Sequence, residues 1–229
     1  LATAQLFAQH GADLALCDLN AAAVADVAAQ LQAKYPGQKV SAHTVDVTKS
    51  AEVERLFGEV ASAHTDRHPT ILVNSAGIAK NSMCVDMPEH EFDQVLAVNL
   101  KGVFLVSQAF AKRLVDHFPQ VSFASATQSY GSIVNLASQA AKRAHPGLSA
   151  YSMTKAGVDS FTRVLAKELG PYRIRCNSVL PYFVETPMTA HLDSARCALL
   201  SSLTALNRFG QADEVAQLIL FLASDASSY

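Results

Sequence analysis

Tyr151 and Lys155 stand four residues apart in the stretch LSAYSMTKAGVDSF, and Ser138 lies thirteen residues upstream of the tyrosine. Side chains at i and i+4 share one face of a helix, so on a helix the phenol and the ammonium meet. A free tyrosine loses its proton near a pH of about 10, too high for ready proton exchange at neutrality. A neighbouring cation favours the phenolate, and a serine hydroxyl beside it can hold a substrate oxygen. Ser138, Tyr151 and Lys155 therefore suit acid/base work on a carbonyl/alcohol pair. A Ser–Lys nucleophile is a second chemistry for the same residues, although no G-x-S-x-G motif is present. The spacing is equally that of a helix-start tyrosine followed by a solvated lysine.

The elements that would position these residues alternate between apolar runs and helical stretches. LALC (14–17), KVSAHTVDV (39–47), TILVN (70–74), GSIVNLAS (131–138) and RIRCNSVLP (173–181) read as strands. Between and after them, residues 21–35, 50–63, a long segment opening at Pro88, 148–169 and 212–223 carry apolar residues at helical spacing. Strands alternating with helices predict an α/β fold, one doubly wound parallel sheet with helices on both faces. In such a sheet ligands bind at the carboxyl ends of the strands, so the residues just after each strand become candidates.

Asp18 follows the first of these strands. Its carboxylate could accept hydrogen bonds from both hydroxyls of an adenosine ribose and would repel a 2′-phosphate; a turn or cap aspartate is the plainer alternative. Asp46 follows the next, placed to touch an adenine amino group or to cap the helix near Ser50. After TILVN comes Asn74-Ser75-Ala76-Gly77, small residues that let the backbone approach a flat ligand. The segment 187–206 has few apolar anchors and reads as a helical flap.

The 229 residues are 50 % hydrophobic and 17 % charged, with a net charge of −2. That balance suits one domain over 1–229 and gives no electrostatic case for nucleic acid or an anionic membrane. No unbroken apolar run approaches the roughly 18 residues of a membrane span. Cys17, Cys84, Cys176 and Cys197 show no metal-ligand spacing and read as reduced thiols of an intracellular protein. The chain opens on Leu1 within an amphipathic pattern and closes on FLASDASSY, which reads as the retained part of a longer chain.

LALCDLN, VDVT, LVNSAG, AVNLKGVF, GSIVNLAS, YSMTKAG, ELGPYRIRCNSVLP, VETPMT and RFGQADEVAQLILFLASD occur in this order. Over nearly its whole length the chain thereby resembles the short-chain dehydrogenase/reductase family, particularly the 17β-hydroxysteroid dehydrogenases of type 8 and the 3-oxoacyl-(acyl carrier protein) reductases. The resemblance implies a Rossmann-type sheet. Tyr151 resembles the family's catalytic acid/base, Lys155 the partner that lowers its pKa and binds the nicotinamide ribose, and Ser138 the residue that binds the substrate oxygen. Asn99 resembles the asparagine that kinks the long helix and holds a relay water. Asn74, Ala76 and Gly77 resemble the nicotinamide-side wall, Val184 and Thr186 the carboxamide contacts, and Asp18, Leu19, Asp46 and Val47 the adenosine side. Asp18 with no Lys or Arg following it implies NAD, with NADP less favoured.

Departures from the family pattern qualify this. No G-x-G occurs anywhere in the chain, and the family's first strand, its glycine-rich pyrophosphate loop and its last strand are expected outside it. Tyr182 stands after Pro181, where the family usually has glycine, and the link 116–130 is long and reads as a surface excursion. The resemblance implies an NAD-dependent oxidoreductase for a small lipid-like secondary alcohol or ketone. A 17β-hydroxysteroid is the leading expectation, a 3-oxoacyl or 3-hydroxyacyl thioester the alternative, and a non-catalytic scaffold subunit the reading from another class. It also implies a homo- or hetero-tetramer and a mitochondrial matrix location, with the cytosol as alternative.

Overall fold

The computed structural model describes residues 1–118, 129–190 and 192–228. Five of its strands are those expected: β1 (Leu14–Asp18), β2 (Val40–Thr44), β3 (Ile71–Asn74), β4 (Gly131–Leu136) and β5 (Ile174–Val179). Two short ones, β6 (Val184–Glu185) and β7 (Gly210–Gln211), complete the set among the described residues. The helices are α1 (Ala2–Gln9), α2 (Ala21–Lys34), α3 (Ser50–Ala63), α4 (Glu89–Leu96), α5 (Val103–His117), α6 (Ser149–Leu169), α7 (Ser194–Ser202) and α8 (Ala212–Ala223). The ten residues 119–128 of the expected surface excursion lie outside the described residues.

All pairings between strands are parallel, as the alternation of strands and helices requires. The α/β arrangement of parallel strands with helices on both faces is the one expected, and among the described residues its ladders fall into three groups: β1-β2, β3-β4-β5 and β6-β7. No described strand lies between β1 and β3, so no hydrogen-bonded ladder joins the first two sheets. β4 is the central strand of its sheet and is buried from Gly131 to Asn135, which is why it reads as an unbroken apolar run.

Helices cover both faces. On one, α3, α5 and α6 share a core that includes Val53, Leu56, Phe57, Val60, Phe110, Leu114, Leu165 and Ile133. The buried set of α3, Val53, Leu56, Phe57 and Val60, has the i, i+3, i+4, i+7 spacing of a single stripe. On the other face, Phe7 and Ala8 of α1, Leu31 of α2 and Ile219 and Ala223 of α8 pack on Leu14, Val134 and Val179.

Local chemistry fixes the helix ends. Asn20 Oδ1 accepts from Ala23 N at 3.1 Å to start α2. At α8, Gln211 and Glu214 form a capping box. At its other end, where the helix ladder runs out, the Arg175 guanidinium, reaching from β5, donates to the carbonyls of Leu222, Ala223 and Ser224.

From Glu89 to His117 the chain is one helix of 29 residues with a mean hydropathy of 1.3 over its most apolar window. By length and composition it could cross a bilayer, but half of that window is buried inside the protein. Its middle, Ala97–Gly102, is a π-helical turn. Beyond it α5 packs against α3 and β3, while α4 packs against α6.

Candidate active site

The buried face of α6 is formed by Ala150, Thr154, Lys155, Val158, Asp159, Thr162, Leu165 and Leu169. Lys155 lies within that face at 5 % exposure, so it is not a solvated lysine. Its Nζ donates to Leu136 O, the last residue of β4, at 2.6 Å, and stands 5.6 Å from the centroid of the Tyr151 ring. Burial pulls the Lys155 ammonium down from 10.5 to about 8.

Ser138 follows β4 and closes the third side. Its Oγ accepts from Ala140 N at 3.1 Å, opening a short 3₁₀ turn. Burial raises the Tyr151 phenol above its usual range, and the neighbouring Ser138 hydroxyl only partly opposes that. This corrects the expectation that Lys155 lowers the tyrosine: the ammonium is committed to the Leu136 carbonyl, and loss of water around the phenol dominates. Tyr151 is therefore a protonated phenol at neutral pH.

Asn99 sits in the π turn with no exposed surface. Its Oδ1 accepts from Ile78 N at 2.8 Å, and its Nδ2 donates to Ile78 O at 2.8 Å and to Thr154 Oγ1 at 3.3 Å. Thr154 Oγ1 donates to Tyr151 O at 2.7 Å. The kink expected at Asn99 is present as this π turn, and the side chain clamps the segment after β3 to α6. A Cβ on Gly77 would stand 3.4 Å from Asn99 Oδ1 and 3.6 Å from Lys155 Nζ. Gly77 and the neighbouring Ala76 thus bring bare backbone over the lysine.

Asn74 faces elsewhere. Its Nδ2 donates to Ser107 Oγ at 2.9 Å and to Asn135 Oδ1 at 2.8 Å, and Asn135 Nδ2 donates to Thr162 Oγ1 at 2.9 Å. This buried polar ladder stitches β3, β4, α5 and α6 together. Both amide protons are spent on it, so Asn74 has only acceptor groups and its main chain to offer at the cleft.

At the carboxyl end of β1, Asp18 and Leu19 are exposed. Asp18 Oδ1 accepts from Asn20 N at 2.9 Å, and its Oδ2 has no hydrogen-bond partner among the described residues. Asp46 is used differently. Its Oδ1 accepts from Thr48 N at 3.0 Å and Thr48 Oγ1 at 2.7 Å, and its Oδ2 lies 3.5 Å from Lys49 Nζ. Those Thr48 bonds, with Lys49 behind them, hold the carboxyl below its ordinary range. Val47 turns inward: a Cβ on Gly102 would come within 2.7 Å of Val47 Cγ2.

Val184 opens β6 and Thr186 follows it. Thr189 Oγ1 donates to Val184 O at 2.8 Å and accepts from Thr186 N at 3.1 Å. Val184 is paired with Gly210 of β7, outside the Ser138–Tyr151–Lys155 cluster.

Sequence reasoning overlooked Thr154, whose hydroxyl joins Asn99 to the Tyr151 backbone, because a threonine inside a helix carries no signal of its own. It also overlooked Asp159. Its Oδ2 meets Lys142 Nζ at 2.7 Å and Arg163 Nη1 at 2.8 Å, and its Oδ1 accepts from Ser178 Oγ at 2.8 Å. This fastens the turn after Ser138 to α6 and β5.

A nicotinamide dinucleotide fits the residues at the strand ends on two counts. The Asp18 carboxylate has an oxygen to spare for ribose hydroxyls, and the bare backbone at Gly77 leaves open the space over Lys155 that a Cβ would fill.

Residues 1–229 match a family model described as enoyl-(acyl carrier protein) reductase. The chain is 37 % identical over 227 residues to the (3R)-3-hydroxyacyl-CoA dehydrogenase of Mus musculus, covering 97 % of this chain and 83 % of that protein. It is 39 % identical over 229 residues to the 3-oxoacyl-[acyl-carrier-protein] reductase of Thermotoga maritima, covering 100 % and 87 %. Two solved structures are also similar. A gluconate 5-dehydrogenase from Burkholderia cenocepacia in complex with NADP and tartrate has a TM-score of 0.87 at 28 % identity, covering 99 % of this chain and 84 % of that one. A 3-oxoacyl-[acyl-carrier protein] reductase from Brucella melitensis with bound NAD has a TM-score of 0.85 at 31 % identity, covering 100 % and 80 %.

Proposed function

This chain belongs to the short-chain dehydrogenase/reductase family of oxidoreductases, and from that premise we propose that it interconverts 3-oxoacyl and 3-hydroxyacyl thioesters. The observation that carries this reading is the meeting of Ser138, protonated Tyr151 and buried Lys155 at the carboxyl end of β4. Of the two substrate classes drawn from the sequence, the thioester is the better supported. The relatives named above act on hydroxyacyl and oxoacyl groups, so it replaces the steroid alcohol as the leading reading.

A bound reduced nicotinamide supplies the hydride. The protein's part is the oxygen and its proton. The Ser138 hydroxyl holds the 3-oxo oxygen beside the Tyr151 phenol. The raised Tyr151 pKa keeps that proton in place until negative charge develops on the substrate oxygen, which then takes it. The resulting phenolate keeps the Ser138 hydroxyl next to it, and the Lys155 ammonium, 5.6 Å from the ring centroid, offers a more distant positive charge until solvent returns a proton. Asn99 and Thr154 act as positioning residues, holding the Ile78 segment and the Tyr151 backbone.

We further infer a preference for NAD over NADP. It rests on the exposed Asp18 carboxylate, which would repel a 2′-phosphate, and on the uncharged Leu19 and Asn20 after it. Exposed Phe104 on α5 and Met153 and Val164 on α6 support a tetramer built on these helices.

The test assays 3-oxoacyl and 3-hydroxyacyl thioesters and steroid alcohols with both cofactors, on wild type and Tyr151→Phe. Thioester turnover in the wild type should fall at least about a hundredfold in the variant. Turnover of Tyr151→Phe within tenfold of wild type refutes the acid/base assignment. Turnover of steroids with none of thioesters refutes the substrate class.

A further inference from the structure

We propose that Arg143, held on the ring of Tyr182, binds the phosphate of the carrier arm of an acyl thioester; this rests on the thioester reading above. Two loops carry the pair, one after β4 and one after β5, both at the strand ends that hold Ser138. They are tied together, because Gln139 N donates to Pro181 O at 2.9 Å and Arg143 N to Gln139 O at 2.8 Å.

The guanidinium carbon lies 5.7 Å from the Tyr182 ring centroid. Tyr182 is fixed in turn, with centroids 4.6 Å from Phe183 and 5.8 Å from His145, and Phe183 stacks on Phe209 at 5.4 Å. A row of rings thus ends in a cation at the margin of the site. The glycine usual at position 182 in the family would offer the guanidinium no such surface.

Charge pairing singles out Arg143. Its neighbour Lys142 is neutralised by Asp159, which Arg163 also engages. Arg143 is exposed, and among the described residues no carboxylate lies within ion-pair distance of it. A guanidinium over an aromatic ring, with no carboxylate beside it among the described residues, keeps N–H groups free, and these match phosphate oxygens in a bidentate fork. A thioester on a phosphorylated pantetheine arm carries its reacting carbonyl at one end and such an anion further along. A neutral steroid would leave this cation without a partner.

The experiment compares acetoacetyl thioesters of coenzyme A, 4′-phosphopantetheine and unphosphorylated pantetheine on wild type, Arg143→Gln, Arg143→Lys and Tyr182→Leu. Arg143→Gln should lower kcat/KM about tenfold for the two phosphorylated substrates, through KM, and leave the unphosphorylated one within about twofold. Arg143→Lys should retain part of the preference, and Tyr182→Leu should lose part of it. Calorimetric titration with coenzyme A alone should show the same tenfold weakening in Arg143→Gln. Equal losses on all three substrates, or none, overturn the proposal. A loss confined to coenzyme A overturns the carrier-arm assignment. If wild type turns over no thioester but Arg143→Gln still weakens coenzyme A binding, the functional reading fails and the phosphate site stands.

Discussion

Replacing Asn99 with alanine tests whether the π turn holds the site together. The substitution removes three hydrogen bonds: one from Ile78 N, one to Ile78 O and one to Thr154 Oγ1. Thr154 keeps its bond to Tyr151 O, so the groups left unpaired are the amide and carbonyl of Ile78. A buried orphan costs about 1–3 kcal/mol. Ile78 is half-buried, so water offsets part of that cost, and the lower half of the range applies to each group. With the gap left by a fully buried amide, the total is about 3 kcal/mol. For a chain of 229 residues this lowers Tm by about 6–12 °C. Scanning calorimetry on wild type, Asn99→Ala and Asn99→Asp measures it. Aspartate can still accept from Ile78 N, but it presents lone pairs to Ile78 O and buries a charge, so it should be no more stable than alanine. Turnover should fall in both variants, because Gly77 would no longer be fixed over Lys155. A Tm within about 2 °C of wild type in Asn99→Ala refutes the clamp, and wild-type stability of Asn99→Asp would show that the Ile78 carbonyl needs no donor.

Asp18→Asn should raise kcat/KM with NADPH by at least about tenfold and narrow the preference for NADH, since it removes the charge facing the 2′ position; an unchanged ratio of the two cofactors counts against the adenosine-side role of Asp18. Lys155 has its pKa lowered from 10.5 to about 8 in the folded protein. Between those values the unfolded chain binds more protons, so the penalty of burying the ammonium is complete below pH 8 and fades as pH rises, by at most about 3 kcal/mol. Urea unfolding of wild type against Lys155→Met from pH 7 to 10 should show wild type gaining relative stability, and parallel curves would contradict the burial. The Asp159 carboxyl is held below its ordinary range, first by its bond from Lys142 and then by Ser178 and Arg163. Its contribution is present above the unfolded carboxylate pKa and lost as pH falls through the folded one. Asp159→Asn should therefore destabilise the protein at pH 7 by about 1–3 kcal/mol and converge with wild type toward pH 2–3; an equal difference at both ends would rule out a charge-based role.

Strands and helices were legible because their apolar patterns are regular. The α3 stripe at Val53, Leu56, Phe57 and Val60 and the buried run of β4 are direct consequences of periods that a sequence displays. The placement of Ser138, Tyr151 and Lys155 followed from the rule that parallel sheets expose their chemistry at the strand ends. What the spacing could not show is direction. Lys155 points at a main-chain carbonyl rather than at the phenol oxygen, which reversed the expected shift of Tyr151. Asn74 and Val47 stand at the right strand ends, yet their side chains serve the interior, because hydrogen bonding and packing claim them first. Asp46 kept the local role that its neighbour Thr48 supplies. The Arg143–Tyr182 contact joins residues far apart in the chain, and no local pattern announces it.

The π turn at Ala97–Gly102 also sets how this chain can tolerate insertion and deletion. An α-helix advances about 100° per residue, and a π turn accommodates one residue more than the ladder around it needs. Deleting one residue inside 97–102 would let the segment close into unbroken α-helix and so restore good local geometry. Because the π turn already absorbs that residue, the deletion would leave α5 in about the same phase relative to α4 and keep Val106, Phe110 and Leu114 on the core they share with α3. What it would remove is the bulge that carries Asn99 to Ile78 and Thr154. A one-residue deletion within α4 or α5 has no such slack and would turn the two helices by about 100° against each other, so the fold should survive the first change better than the second, and the site neither.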